Sequence, residues 1–169
     1  MQLILERAVL LGEKLRARRE TIAVSESSSG GLVSAALLAL PGASAYFMGG
    51  AVTYTTTARG VLAGITAGEM VGLRSSSEPY ALLLARKMRE RMGTTWGLAE
   101  TGAAGPTGNR YGDAAGHSCF AICGPVELVR TLETGEADRW RNMQDFALGT
   151  LALLEDALNA SRLGGDDRA

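Results

Sequence analysis

Thr21–Gly31, TIAVSESSSGG, decides how the rest of this chain is read. Thr21, Ile22, Ala23 and Val24 form a short apolar run that reads as a buried strand. The polar Glu26-Ser27-Ser28-Ser29 follows, and Gly30-Gly31 then open an apolar stretch that reaches Leu40. A strand that breaks in a Ser/Gly turn and restarts as a helix leaves unpaired N–H groups at the helix start, where an anion or a developing oxyanion is favoured. A serine held there is also a candidate nucleophile, given a group to take its proton. The same residues equally describe a helix cap, since serine is a preferred N-cap and glycine suits tight turns.

A chain of 169 residues, 46% hydrophobic and 21% charged, suits one domain with its own core. With 17 basic against 18 acidic residues it carries no footprint for direct nucleic-acid binding, although Arg16, Arg18 and Arg19 make a local basic patch. No apolar run reaches the ~18 residues of a membrane span. The start, MQLILERAVLLGEKLRARRE, lacks the basic region and small-residue cleavage site of a secretory leader. The expected location is cytoplasmic. Cys119 and Cys123 fall in a strand-like run, about 13 Å apart on one face, beyond the ~7 Å that a disulfide spans. Two thiols also make a poor zinc site, so buried reduced cysteines are expected, with no metal and no cofactor.

Working outward, residues 3–19 carry Ile4, Ala8, Leu11 and Leu15 on one helical face. Helix 30–40 is apolar nearly all round and stops at Pro41-Gly42. Ala45–Phe47 and Ala51–Thr55 read as extended segments around Gly49-Gly50, and a short helix follows from Thr57 to Leu62. Thr66–Glu69 has the capping-box pattern, and Ser77 with Glu78-Pro79 starts a helix that carries Tyr80, Leu84, Met88 and Met92 on one face. Trp96–Ala99 reads as a second buried strand running into a glycine-rich loop, Glu100–Pro106, and residues 107–115 have loop composition. Gly116–Gly124 and Val126–Glu133 read as an antiparallel hairpin. A final helix, 136–161, aligns Trp140, Met143, Ala147, Leu151, Leu154 and Leu158. The alternation of helices and strands predicts a layered α/β fold with a mixed sheet, in one domain spanning 1–162 with a disordered tail at 163–169.

Five of these segments, in this order and approximate spacing, resemble the CinA C-terminal domain family, whose active members are nicotinamide-nucleotide amidases. They are Glu26–Gly31, Leu40-Pro41-Gly42-Ala43-Ser44, Val52-Thr53-Tyr54 with the turn after it, Thr101–Pro106, and Gly116 entering a strand. The resemblance implies a layered α/β/α domain and a serine amidohydrolase that converts nicotinamide mononucleotide to nicotinate mononucleotide and ammonia. It places the nucleophile on Ser27 and the general base, a lysine in the family, on Arg59. The cleft it implies takes a pyridine nucleotide between Glu26, Ser28, Ser29, Gly30 and Gly31 on one side and Tyr54, Thr101, Gly102, Ala104 and Gly105 on the other. Family members often carry a further N-terminal domain, and the expectation here is the amidase-like domain standing alone. The oligomeric state is left open, a homo-oligomer included.

Arginine at position 59 matters because it stays protonated, whereas a buried lysine can become neutral and accept the hydroxyl proton. The two lysines, Lys14 and Lys87, both fall within amphipathic helices. His117, the one histidine, has the right ordinary pKa and stands at a strand start that could face the cleft. Glu26 is expected to orient the turn or meet Arg59, and Glu100 is a further acid near the cleft. Arg59 is itself well made to hold a phosphate or carboxylate. Its plain alternative is a surface salt bridge. Beside the hydrolase stand two other readings: a member that binds its nucleotide without hydrolysis, and a protein-interaction role in competence or the DNA damage response.

Overall fold

The computed structural model describes residues 1–163. Helix α1 (Gln2–Arg18) leads into strand β1 (Ile22–Glu26), then helix α2 (Leu32–Leu38) and strand β2 (Phe47–Val52). A single turn α3 (Thr56–Ala58) precedes the long helix α4 (Glu78–Met92). Strands β3 (Trp96–Ala103), β4 (His117–Cys123) and β5 (Leu128–Glu133) and helix α5 (Arg139–Leu163) complete the domain. The sheet order is β2-β1-β3-β4-β5, with β1 parallel to both β2 and β3 and the last two pairings antiparallel. The expected mixed sheet is therefore present.

Residue size sorts the two faces of this sheet. Ile22, Val24, Trp96, Leu98, Phe120 and Ile122 point to one side and pack with the buried stripes of α1, α2 and α5. Ala23, Ala99, Cys119, Ala121 and Cys123 point to the other, where α4 lies over them with Tyr80, Leu84 and Met88. The small side chains let α4 sit close: a Cβ on Gly97 would stand 2.0 Å from the Ala85 carbonyl oxygen. Both cysteines are free and buried on this thin side, as expected. Ser77 caps α4 by accepting from Tyr80 N, and Gly93 ends it in the left-handed conformation.

Several boundaries differ from expectation, each for a nonlocal reason. β3 runs on to Ala103 because β4 offers partners to Glu100, Thr101, Gly102 and Ala103, residues that read as loop. β2 is one strand through Gly49 and Gly50, whose lack of side chain is used: a Cβ at Gly50 would fall 2.1 Å from Ser34 Oγ of α2. Thr53 has already left the sheet, its N–H donating to Glu26 O at 2.6 Å. After it, Thr55 caps α3 and the chain widens into a π-turn at Arg59–Ala63. α5 starts at Arg139, where Asp138 accepts from Arg141 N, and leaves Trp140 54% exposed instead of on the buried stripe. Leu38 of α2 is likewise 59% exposed. The expected tail, 163–169, lies outside the described residues apart from Leu163, the last residue of α5.

Candidate active site

The carboxyl ends of the three parallel strands meet at one edge of the sheet, where open α/β sheets bind their ligands. There the turn after β1 brings Ser27, the segment after β2 brings Tyr54 and Arg59, and the end of β3 brings Thr101 and Gly102 around a cavity of about 330 Å³. Tyr80 from α4 and Arg110 and Tyr111 from the 107–115 loop close it. That loop is held by Asn109, whose Oδ1 accepts from Tyr111 N and Asp113 N, and by the Arg74–Asp113 ion pair. A second cavity of about 240 Å³ adjoins it across Tyr54, Gly102 and Asn109, and is lined by Ser28, Ala104, Gly105 and Arg139. Neither lining includes an Asp, Glu, His or Lys.

Two buried carboxyl groups build the serine turn from within. Glu26, fully buried, accepts from Gly31 N, Val33 N and Ser29 Oγ through Oε2, and from Ser34 N and Oγ through Oε1. The N–H groups at the start of α2 are therefore occupied, and the oxyanion expected there has no donors left to meet. Glu26 does not meet Arg59 either; it orients the turn. Glu100 reaches across from β3 to accept from Ser27 N at 3.0 Å and Ser29 N at 2.8 Å, and its other oxygen stands 2.9 Å from Ser118 Oγ. Ser29 Oγ lies 2.8 Å from Glu26 Oε2 and 2.9 Å from Glu100 Oε2, yet it owns one proton and can donate to only one of them.

Burial pushes the Glu100 carboxyl up, against the four hydrogen bonds from Ser29, Ser27 and Ser118 that pull it down. Ser118 Oγ donates to Glu100 Oε1, and the Thr101 carbonyl oxygen lies 3.3 Å from the same hydroxyl. Ser28 N is the one N–H between Ser27 and Gly31 with no partner among the described residues. It directly follows the nucleophile candidate. Ser27 is half-buried, and its hydroxyl has no partner among the described residues.

Of the groups weighed as base, Arg59 lines the same cavity as Ser27, and Glu100 meets Ser27 through its backbone N–H. Arg59 lies over the Tyr80 ring, 5.8 Å from its centroid, with no acid paired to it among the described residues and its buried Nε unpartnered. It is not in a surface salt bridge. Burial raises the Tyr80 phenol, and the neighbouring guanidinium only partly opposes that. His117 uses both ring nitrogens elsewhere, Nδ1 on Glu133 and Nε2 on Ser76 O at 2.9 Å. Lys14 pairs with Glu155 and Lys87 with Glu69. Of the other site residues named from sequence, Ser28, Tyr54, Thr101, Gly102, Ala104 and Gly105 line the two cavities. Glu26, Ser29, Gly30 and Gly31 line neither and support the turn instead.

Four cleft residues had no signal in the sequence: Tyr80, which reads as core, and Arg110, Tyr111 and Arg139. Arg139 begins α5, donates to Gly105 O at 2.7 Å and Tyr54 Oη at 3.3 Å, and stands over the Tyr54 ring. Like Arg59 and Arg110, it has no acid partner among the described residues, so the cleft carries uncompensated positive charge.

A mixed sheet between helical layers, with a hydroxyl-bearing turn at the ends of its parallel strands and a cationic cleft over it, defines an α/β domain whose cleft is compatible with a small-molecule ligand. Residues 5–158 match the CinA C-terminal domain, and the chain belongs to that family. A CinA-like protein of Anaeromyxobacter sp. (strain K) is 35% identical over 156 residues, 91% of this chain and 36% of the relative. A CinA-like protein of Nostoc sp. (strain PCC 7120) is 34% identical over 126 residues, 75% of this chain and 30% of the relative. The chain thus spans about a third of the length of the curated relatives it matches. Among solved structures, the competence/damage inducible protein CihA from Agrobacterium tumefaciens superposes with a TM-score of 0.84 at 26% identity, over 92% of this chain and 95% of that one. A CinA superfamily protein from Klebsiella pneumoniae gives 0.86 at 23% identity over 93% and 98%, a likeness of fold. No helix among the described residues is long and apolar enough to cross a membrane.

Proposed function

We propose that this domain hydrolyses the carboxamide of nicotinamide mononucleotide, releasing ammonia and nicotinate mononucleotide, with Ser27 as nucleophile. The observation that carries the reading is Ser27 itself: half-buried, its hydroxyl uncommitted, at the floor of a cationic cleft in a CinA-family domain. Ser27 Oγ attacks the carboxamide carbon and the Ser28 N–H donates to the oxyanion. The C–N bond then breaks as ammonia leaves, and water hydrolyses the acyl-enzyme to regenerate Ser27. Arg59 cannot take the Ser27 proton, so the proton travels through water to the departing nitrogen. A positioned general base is worth roughly 10²–10⁴-fold, and turnover is slower by about that factor than with a lysine at this position.

A second reading, a protein that binds the nucleotide without turning it over, is favoured by the lack of any carboxylate, imidazole or amine lining the cleft. Ammonia release from nicotinamide mononucleotide, with Ser27→Ala as the blank, separates the two. Release lost in the variant supports the amidase. No release together with a ligand-induced rise in melting temperature supports the binding protein, and neither effect refutes both.

A further inference from the structure

We propose that His117 is a positioning residue for the cleft: its doubly protonated ring holds the Ser75-Ser76 wall in place, and loss of one ring proton weakens ligand binding. The inference rests on the reading above only in taking this cleft as the ligand site. His117 begins β4 with its side chain 8% exposed. Nδ1 meets the carboxylate of Glu133, the direct cross-strand neighbour on β5, and Nε2 stands 2.9 Å from Ser76 O. A carboxylate and a carbonyl oxygen can only accept, so both ring nitrogens must donate, and a ring with two N–H groups is the imidazolium. From the 107–115 loop the Asp113 carboxylate lies 3.8 Å from Nε2, and from β4 the Cys119 thiol lies 3.5 Å away. Glu78 of α4 reaches the same cluster by accepting from Thr131, which adjoins Cys119. Arg74 is the one cation among these neighbours, and it is already paired with Asp113 and stacked on Tyr111. Burial opposes the charge on the ring, but Glu133, Ser76 O and Asp113 outweigh it.

What the ring grips is a wall of the cleft. Ser75 and Ser76 line the first cavity with Thr101, Arg110 and Tyr111. Ser76 is buried in the left-handed conformation, φ 55°, which is uncommon for a residue with a side chain and is kept here by contacts on both sides. Its N–H donates to Thr101 Oγ1 at 3.3 Å, and its carbonyl accepts from His117 and, at 3.2 Å, from Arg74. Arg74 in turn pairs with Asp113, which Asn109 ties into the loop that carries Arg110 and Tyr111. When the ring loses a proton, Glu133 keeps the one on Nδ1, because a carboxylate is the stronger acceptor. Nε2 then turns a lone pair on Ser76 O and on Asp113. The wall is released on that side while Arg74 still holds it, so the cleft loosens without unfolding.

The chain has one histidine, so its ring gives a single set of imidazole signals. Nuclear magnetic resonance from about pH 5.5 to 9 follows that ring and the Ser76 and Tyr111 amides, and calorimetry follows the affinity for nicotinamide mononucleotide over the same range. Both ring nitrogens are expected to carry protons at the acid end, and the two amides to shift with the midpoint of the ring. Affinity should be about threefold or more weaker above that midpoint. His117→Gln should leave it constant across the range. Glu133→Gln replaces an exposed carboxylate with an amide that still accepts from Nδ1–H, so the fold is kept while the titration of the ring moves to lower pH. The affinity profile should move with it. The Tyr111 phenol, lowered by its bonds with Ser75 and Arg110, does not depend on residue 133. A profile that stays in place in Glu133→Gln therefore assigns the pH dependence to Tyr111 and overturns the proposal. So does a ring with a single proton at the acid end, or Ser76 and Tyr111 amides that ignore its titration. If nicotinamide mononucleotide does not bind at all, the pyridine reading fails, and the ring and amide signals alone support or overturn the role of His117.

Discussion

Exchanging each buried glutamate for glutamine, one at a time, has opposite expected outcomes. Glu26 accepts on both oxygens. Glutamine at position 26 must turn its NH₂ toward one set of donors. Facing Ser34 is the cheaper choice, because the Ser34 hydroxyl (2.6 Å from Oε1) can rotate and accept, but the Ser34 N–H (2.8 Å) is then left against another N–H. Facing the other way orphans both Gly31 N and Val33 N. One unpaired backbone donor costs about 1–3 kcal/mol, and the remaining bonds lose their charge, so a total near 3 kcal/mol is expected. For a chain of this length that lowers the melting temperature by about 6–12 °C. At position 100 glutamine can keep its carbonyl oxygen on Ser27 N and Ser29 N and turn its NH₂ to Ser118 Oγ, a hydroxyl that can rotate to accept and send its own proton to Thr101 O at 3.3 Å. Glu100→Gln is therefore within about 1 kcal/mol of wild type. Differential scanning calorimetry of both variants at pH 7 reads the difference. Equal losses, or the larger loss in Glu100→Gln, would refute this reading of the two hydrogen-bond networks.

Further outcomes follow from other contacts. Arg59→Lys should raise the rate of ammonia release by up to about 10²–10⁴-fold if a neutral lysine can serve Ser27, and an unchanged rate removes position 59 from proton transfer. Gly97→Ala drives a Cβ into the Ala85 carbonyl beneath α4 and should cost about 1–3 kcal/mol, seen as a lowered denaturation midpoint at unchanged slope. Burial lowers the His117 imidazole, but its bonds to Glu133 and Ser76 O outweigh this and raise it above 6.5. Its stabilising contribution is thus full below pH 6.5 and is lost as pH rises through the raised value. The stability gap between wild type and His117→Gln should shrink over that range; a gap that stays constant with pH contradicts the assignment.

The layered fold was legible because its signals are local and periodic. Ile4, Ala8, Leu11 and Leu15 mark one face of α1, and all four are buried. Ser77 by its side-chain cap and Gly93 by its left-handed backbone bound α4, and the hairpin β4–β5 turns at the Gly124-Pro125 signal. The errors came where a neighbour far along the chain overruled local composition. Glu100–Ala103 looks like a loop but becomes strand because β4 supplies its hydrogen bonds, and Trp140 looks like core but lies in the first turn of α5 with its side chain exposed.

By itself, then, the sequence determined the α/β class, the strand-turn-helix at Ser27, the absence of an amine at position 59 and the family these residues resemble. Each follows from side-chain chemistry or from spacing of a few residues. The tertiary structure alone decided which donors the serine turn has left, because Glu26 closes on α2 from within while Glu100 arrives from 73 residues away. It also decided that Arg139 and Ser28 face one cavity and Arg59 another. Hydrogen-bond partners and charge neighbours at a site are set by which strands lie side by side, and the order β2-β1-β3-β4-β5 is written in no local stretch of the chain.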